Sequence, residues 1–261
     1  MAVVLFTFAG PLVYRQSPYA IHIASMLSPP TAAFPLGTDS LGRDVLAQLM
    51  VGGQVSLIIG LASAVFAVAF GTVYGVFSGI VGGALDVVLM RVVDLLRAVP
   101  ALFLLLFLDA FINPTPTVMV ALIAGISWHG VARLARAETL HMRGLDYVEA
   151  AHAVGATRWA IAVRHILPGT VQVVVVTATF LVADAILTIA ALSFLGLGLP
   201  PPAPNWGGML SSAMSYMPQG AWWLVYPAGL ILTVTLVCLN LVGDALRMVY
   251  NPRLLTVGKQ G

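Results

Sequence analysis

Charge is scarce in this 261-residue chain: 8% of its residues are Asp, Glu, Lys or Arg and 60% are hydrophobic, against about 25% and 45–50% in ordinary soluble domains. That scarcity excludes a soluble globule. A basic tract is missing too, since twelve Lys+Arg against ten Asp+Glu leave a net charge of only +2 and the arginines are scattered. Nucleic acid is therefore excluded as a partner. The lone cysteine, Cys238, sits in an apolar run, which excludes a disulfide framework and a thiolate metal cluster. No G-x-x-x-x-G-K-[ST] phosphate loop occurs, and the glycines lie in apolar runs and turns where they cannot cradle a triphosphate. What the chain does hold is 25 Gly and 16 Pro without a fibre-like period, as suits polytopic membrane helices.

A helix crossing a hydrocarbon core needs roughly 20 mostly apolar residues, so the gaps between charges mark the spans. No charge lies between Asp44 and Asp86, Asp109 and Arg133, Arg164 and Asp184, or Asp184 and Asp244. These gaps predict spans near residues 54–80, 98–113, 115–134, 170–195 and 221–244. A sixth apolar stretch, residues 1–14, covers only about 21 Å at 1.5 Å per residue, so either this helix frays or the true start lies upstream. Pro100, Pro114, Pro116 and Pro227 read as kinks or ends of helices. With six spans both ends share one side, and arginine placement identifies that side. Arg91, Arg97, Arg133, Arg136, Arg143, Arg158, Arg164, Arg247, Arg253 and Lys259 fall on one face, against Arg15 and Arg43 on the other. The first face is expected to be cytoplasmic. Residues 15–53 then form an outer loop and 54–253 a five-helix core carrying a long inner loop at 135–169, followed by a cytoplasmic tail over 254–261.

Within the first long span Gly71, Gly75 and Gly79 recur at i, i+4 and i+8, which strips one helix face of side chains and admits another backbone, from this chain or from a second subunit. Asp86, Arg91, Asp94 and Arg97 fall within an arc of about 140° on the next helix, a charged stripe with a structural role. At the end of the last span Asp244 and Arg247, spaced i and i+3, are expected to pair.

The inner loop is the most informative segment. Loops of that length carry function or structure of their own. Residues 147–154 read as a short helix, Gly155 supplies the left-handed or crowded position that ends it, and Thr157 can cap a second helix running to Pro168. Glu149, Arg158 and Arg164 give this protrusion polar grips, and it contains no nucleophile–base pair or ligand cluster. Such a shape suits docking into a cleft of a partner.

Glu149, Ala150 and Ala151, then Gly155, then Leu167 and Pro168 together resemble the EAA loop of importer permeases of the ATP-binding-cassette class. LGTDSLGRD at residues 36–44, LSFLGLG at 192–198 with Pro201, Pro202, Pro204, Trp206, Gly207 and Met209, and the tail pattern Asn240, Leu241, Gly243, Asp244, Leu246, Arg247, Pro252, Arg253 are similar to the dipeptide, oligopeptide and nickel permease subfamily. The likeness is in particular to the second of the two permeases that such operons encode. His165 stands where isoleucine is common, Ile189 where a glutamate is usual before LSFLG, and Met248 and Asn251 where aspartates are frequent.

The resemblance implies a type I importer permease fold: an all-α membrane bundle of about six transmembrane helices, with a coupling-helix loop in which Glu149, Ala150, Ala151, Gly155, Arg158, Leu167 and Pro168 engage an ATPase. It implies a bacterial plasma membrane location, a homologous second permease, two cytoplasmic ATPases holding the ATP and Mg, and an extracytoplasmic substrate-binding protein. It implies no cofactor, metal or catalytic residue on this chain. ATP binding would close the ATPases and rock the helices from inward to outward opening, with peptides, nickel or haem as cargo. Asp109, His129 and Asp184 interrupt or flank apolar spans, where an ionisable group costs roughly 2.5–3.5 kcal/mol. They line the pathway, reach the headgroups or bond a neighbouring helix. Two rival classes are a self-contained secondary transporter, which needs an inverted repeat that is not evident here, and a non-transporting membrane scaffold, for which the spacing of the loop has no use.

Overall fold

The computed structural model of the protein describes residues 1–112 and 114–250. Asn251, Pro252, Arg253, Lys259 and the tail expected over 254–261 lie outside the described residues. Among the described residues there is no β-strand, only an isolated antiparallel bridge between Thr38 and Asp44. The helices in chain order are α1 (Ala2–Phe8), α2 (Gly10–Val13), α3 (Val45–Val81), α4 (Gly83–Ala98), α5 (Ala101–Phe111), α6 (Pro116–Arg143), α7 (Asp146–Ala153), α8 (Arg158–Ile161), α9 (Leu167–Phe194), α10 (Trp206–Met214) and α11 (Trp222–Tyr250).

Four of the six expected spans are long and apolar enough to cross a membrane: α3, α6, the continuous stretch Arg158–Phe194, and α11. The other two are shorter. The N-terminal stretch breaks into α1 and α2, with Pro11 in the first turn of α2, and α5 has 11 residues, fewer than a straight crossing needs. Pro116 opens α6 and Pro227 sits inside α11. The helix expected to carry the charged stripe of Asp86, Arg91, Asp94 and Arg97 is α4.

Two compact units divide the chain. Among the described residues the first comprises 1–62, 105–122 and 183–238, the second 63–104, 123–182 and 239–250.

In the first unit α3 begins at Val45, inside the segment expected to be outer loop, because Asp44 caps it: the Ala47 N–H donates to Asp44 Oδ1 at 3.0 Å, and the Tyr14 hydroxyl donates to the other oxygen. Asp39 organises the turn before it, its Oδ1 accepting the N–H groups of Leu41 and Arg43 at 2.9 Å each and its Oδ2 accepting Arg43 Nε at 2.7 Å and Gln48 Nε2 at 2.9 Å. Thr38 ties the loop to Ser25 and Ser28, and its carbonyl accepts the Trp223 indole N–H at 3.1 Å. The LGTDSLGRD block is thus a knot of satisfied polar groups that starts a helix. Trp206 is completely buried and its indole N–H donates to the Leu49 carbonyl at 2.9 Å, while Asn205 caps α10 by accepting the Gly208 N–H at 2.8 Å.

In the second unit the glycine stripe of α3 lies on α6. A Cβ at Gly71 would stand 2.6 Å from the Trp128 carbonyl oxygen, at Gly75 2.1 Å from that of Ala132, and at Gly79 2.7 Å from Thr139 Cγ2. The missing side chains therefore serve packing within the chain. Trp128 fills the space beside the stripe, edge-on to Phe70 and Tyr74 at 4.8 and 4.7 Å. The charged stripe of α4 turns two of its acids to α6, where Asp86 pairs with Arg136 and Asp94 with Arg133. Asp244 and Arg247 do not pair: both are exposed and their ion pair is not among those of the described residues. An exposed i, i+3 pair gains only about 0.2–0.5 kcal/mol, too little to fix two long side chains.

The stripe yields a direct test. Gly75→Ala should destabilise the detergent-solubilised protein by about 1–3 kcal/mol through overpacking. Gly125→Ala on α6, where an added Cβ would meet nothing within 4 Å, should be neutral or slightly stabilising. Thermal unfolding of the two variants side by side measures the difference.

Candidate functional site

The segment between α6 and α9 folds as a helical hairpin. Helix α7 carries Glu149, Ala150 and Ala151. Gly155 reverses the chain at φ +87° with nothing within 4 Å of an added Cβ, so glycine is needed there for its conformation and not for space. Thr157 caps α8, its hydroxyl accepting the Ala160 N–H at 3.2 Å. The second helix does not end at Pro168. It passes through a π-turn at Ala162–Ile166, where the Leu167 N–H bonds the Ala162 carbonyl, and continues as α9. Proline lacks the N–H that an α-helical ladder would use, and the wider turn before it absorbs the defect. Leu167 and Pro168 therefore stand where the hairpin joins a membrane-length helix.

One face of the hairpin is anchored. Val148, Ile161, Ala162 and Ile166 are buried in a core with Val76, Ile80, Val131, Ala135, Met142 and Val174. Trp159 stacks on Phe77 at 5.9 Å, and His165 faces Tyr147 at 6.0 Å. The other face is open: Glu149, Ala150, His152, Arg158 and Arg164 are exposed, and Val154 at the tip is 85% exposed. A cavity of about 190 Å³ beneath it is lined by Glu149, His152, Arg143, Arg158 and apolar residues including Ile80. Arg143 and His152 were not singled out from sequence, although the i, i+3 spacing of Glu149 and His152 was visible.

Arg143 Nη1 also donates to the Gly79 carbonyl at 2.7 Å. Two turns earlier Arg136 grips Asp86 through two bonds of 2.6 Å, with Ser78 donating to the same carboxylate at 2.5 Å. These contacts tie α3, α4 and α6 into the frame on which the hairpin rests. The Arg136 guanidinium is the largest influence on Asp86, and it holds that carboxyl below the ordinary carboxylate value.

The ionisable residues of the apolar stretches are divided between the two units. Asp109 belongs to the first unit, is 5% exposed, and accepts the Gly198 N–H on Oδ2 at 2.8 Å. It is held against the LSFLGLG turn. That turn ends α9, with Leu197 N–H to Leu192 O and Gly196 N–H to Ser193 O around Gly196 at φ +83°. Asp109 lines a cavity of about 590 Å³ with Arg43, Gln48, Ser193, Asn205 and the proline-rich run 200–204. Asp184 is exposed on α9 and does not line that cavity. His129, in the second unit, is half-buried on α6.

Residues 71–256 match the family described as the binding-protein-dependent transport system inner membrane component. The chain belongs to this family. Among curated relatives of this inner membrane component, the oligopeptide transport system permease protein OppC of Haemophilus influenzae is 38% identical over 217 residues, 83% of this chain and 70% of the relative. A putative peptide transport system permease protein of Brucella suis is 37% identical over 258 residues, 99% of this chain and 86% of the relative. Among solved structures, a chain of the MetNI methionine ABC transporter in an inward-facing conformation superposes with a TM-score of 0.64 at 19% identity, covering 77% of this chain and 96% of that one. A chain of an amino acid ABC transporter gives a TM-score of 0.51 at 20% identity, with coverages of 79% and 94%. These two likenesses establish the inner membrane component's fold as that of ABC transporter permeases.

Asp86 titrates below its ordinary value in the folded protein, so its stabilisation is complete above the unfolded value near 4 and is lost as pH falls through the lower, folded one. Asp86→Asn should therefore cost about 3 kcal/mol at neutral pH, the penalty for leaving a part-buried arginine unpaired, and should shrink the parent's loss of stability below about pH 4. Thermal melts between pH 7 and pH 3 read both effects.

Proposed function

We propose that this inner membrane component is the permease subunit of an ATP-driven importer of peptides. It forms half of the translocation pathway, paired with a homologous second permease, driven by two cytoplasmic ATPases that hold ATP and Mg, and supplied by an extracytoplasmic binding protein. The peptide cargo is drawn from the names of the Haemophilus and Brucella relatives. Sidedness follows the arginine excess: residues 135–169 and both chain ends face the cytoplasm, and residues 15–44 and 196–220 face outward.

The observation that carries the reading is the hairpin itself. It has one face locked into the helix frame and one exposed face with a charged rim, the build of an element that receives a push and passes it on. Glu149, Ala150 and Ala151 lie on its first helix, Gly155 is its turn, and Arg158 starts its second helix. Leu167 and Pro168 lead straight into α9, so displacement of the hairpin acts directly on a membrane-length helix. Alternating access is then a two-state equilibrium biased by nucleotide on one side and by loaded binding protein on the other. Asp184, exposed on an apolar helix, is assigned to the pathway or to the facing permease, because lipid exposure of a carboxylate costs roughly 2.5–3.5 kcal/mol. His129 is assigned to the pathway lining on the same ground.

The test is uptake and ATPase activity of the reconstituted four-part complex. Glu149→Ala should leave assembly near normal and lower cargo-stimulated ATP hydrolysis and uptake several-fold. Gly155→Val should lower them further or release the ATPases, since a β-branched residue at φ +87° is strained by about 1–3 kcal/mol. Uptake at parental level in both variants would remove the hairpin from the coupling path.

A further inference from the structure

The cavity of the first unit has an electrostatic feature that the coupling reading does not use. Among its lining residues Arg43 is the cation and Asp109 the carboxylate. Arg43 is already balanced by Asp39, with Nε to Oδ2 at 2.7 Å. Asp109 has no such balance. Its Oδ2 accepts one backbone N–H, from Gly198, and its Oδ1 is buried with no hydrogen-bond partner among the described residues. Ser193, also 5% exposed and on the same wall, has an Oγ without a partner. A buried carboxylate oxygen left without a donor costs free energy that a ligand donor can recover.

We infer that this cavity is a cargo site in which Asp109 receives the α-ammonium group of a short peptide. The inference rests on the proposed peptide importer and deepens it. Three observations select this ligand. The unbalanced charge is negative, so the group received is cationic and donates hydrogen bonds. Among the described residues no cluster of three His, Cys, Asp or Glu could hold a metal ion, and a lone carboxylate beside hydroxyl and carbonyl oxygens suits an ammonium better than a divalent cation. The volume of about 590 Å³ and the walls of Leu199, Met209 and proline rings match an organic molecule of a few residues. The backbone bond to Gly198 fixes the carboxylate on the turn after α9, so the acceptor is in place before cargo arrives.

The experiment uses the assembled transporter with Cys238→Ser and Ser212→Cys, Ser212 being an exposed residue of the same cavity. The rate of thiol modification is measured with a cationic and an anionic methanethiosulfonate, alone and with trialanine or N-acetyl-trialanine. The cationic reagent should react faster, and trialanine should protect while N-acetyl-trialanine should not. Asp109→Asn should erase the charge preference and weaken protection by about tenfold, the loss of one charge-assisted bond. Asparagine can still accept the Gly198 N–H, so the turn stays tied, and the comparison of the two peptides in the parent needs no change at Asp109. Equal rates for the two reagents, equal protection by the two peptides, or protection undiminished in Asp109→Asn would overturn the cargo site. Trialanine uptake by the parent complex separates the two layers. Uptake together with any of those results overturns the cargo site alone, whereas no uptake overturns the peptide reading and the cargo site with it.

Discussion

The backbone contact between α3 and α6 is the constraint on which the rest of the second unit depends. With side chains absent at Gly71, Gly75 and Gly79, the two helices approach until an added Cβ would collide with carbonyl oxygens of α6 at the first two and with the Thr139 side chain at the third. That approach brings Arg136 within reach of Asp86 and Arg143 within reach of the Gly79 carbonyl. It also places Val76 and Ile80 in one core with Val131, Ala135 and Met142. Val148, Ile161 and Ile166 of the hairpin then have a surface to bury against. In a bilayer, where apolar side chains gain nothing by leaving lipid for one another, close packing and buried polar pairs must supply this cohesion. The hairpin is thus stiffly mounted while its tip stays free.

What could be read from the sequence was what local chemistry alone decides. Gly155 as a left-handed turn and Thr157 as a cap are properties of a few neighbouring residues, and both stand in the structure as expected. The long apolar helices followed from the gaps between charges, and the all-α bundle from the resemblance. Boundaries were less legible. A charge ruler cannot show that Asp44 caps α3, because a capping carboxylate and a headgroup-facing one look alike in sequence. Likewise Pro168 looked like a stop, whereas a π-turn at 162–166 carries the helix past it. Such a turn depends on how the flanking helices are packed. The pairing of Asp86 with Arg136 joins residues 50 positions apart, beyond the reach of any periodicity argument.

The two loop blocks that carried the resemblance show a further limit. LGTDSLGRD and LSFLGLG served as marks of resemblance, and the residues themselves gave no sign of their work. In the structure the first is a cap and turn whose polar groups are satisfied within the loop and by Trp223. The second closes α9 and presents the Gly198 N–H to Asp109. An aspartate that sequence reasoning leaves between headgroup anchor and pathway residue becomes interpretable once its two oxygens are seen to differ, one bonded and one not.

In the proposed assembly this chain moves cargo only as part of a larger machine, and the hairpin is its contact to a partner ATPase. A photo-crosslinking side chain at position 154, the exposed tip of the hairpin, tests it most directly when the tagged protein is irradiated in its native membranes and purified. The account predicts one crosslinked product containing an ATP-hydrolysing chain, with a second permease in the same purified assembly. A protein that purifies alone, with position 154 crosslinked to no ATPase, would contradict it.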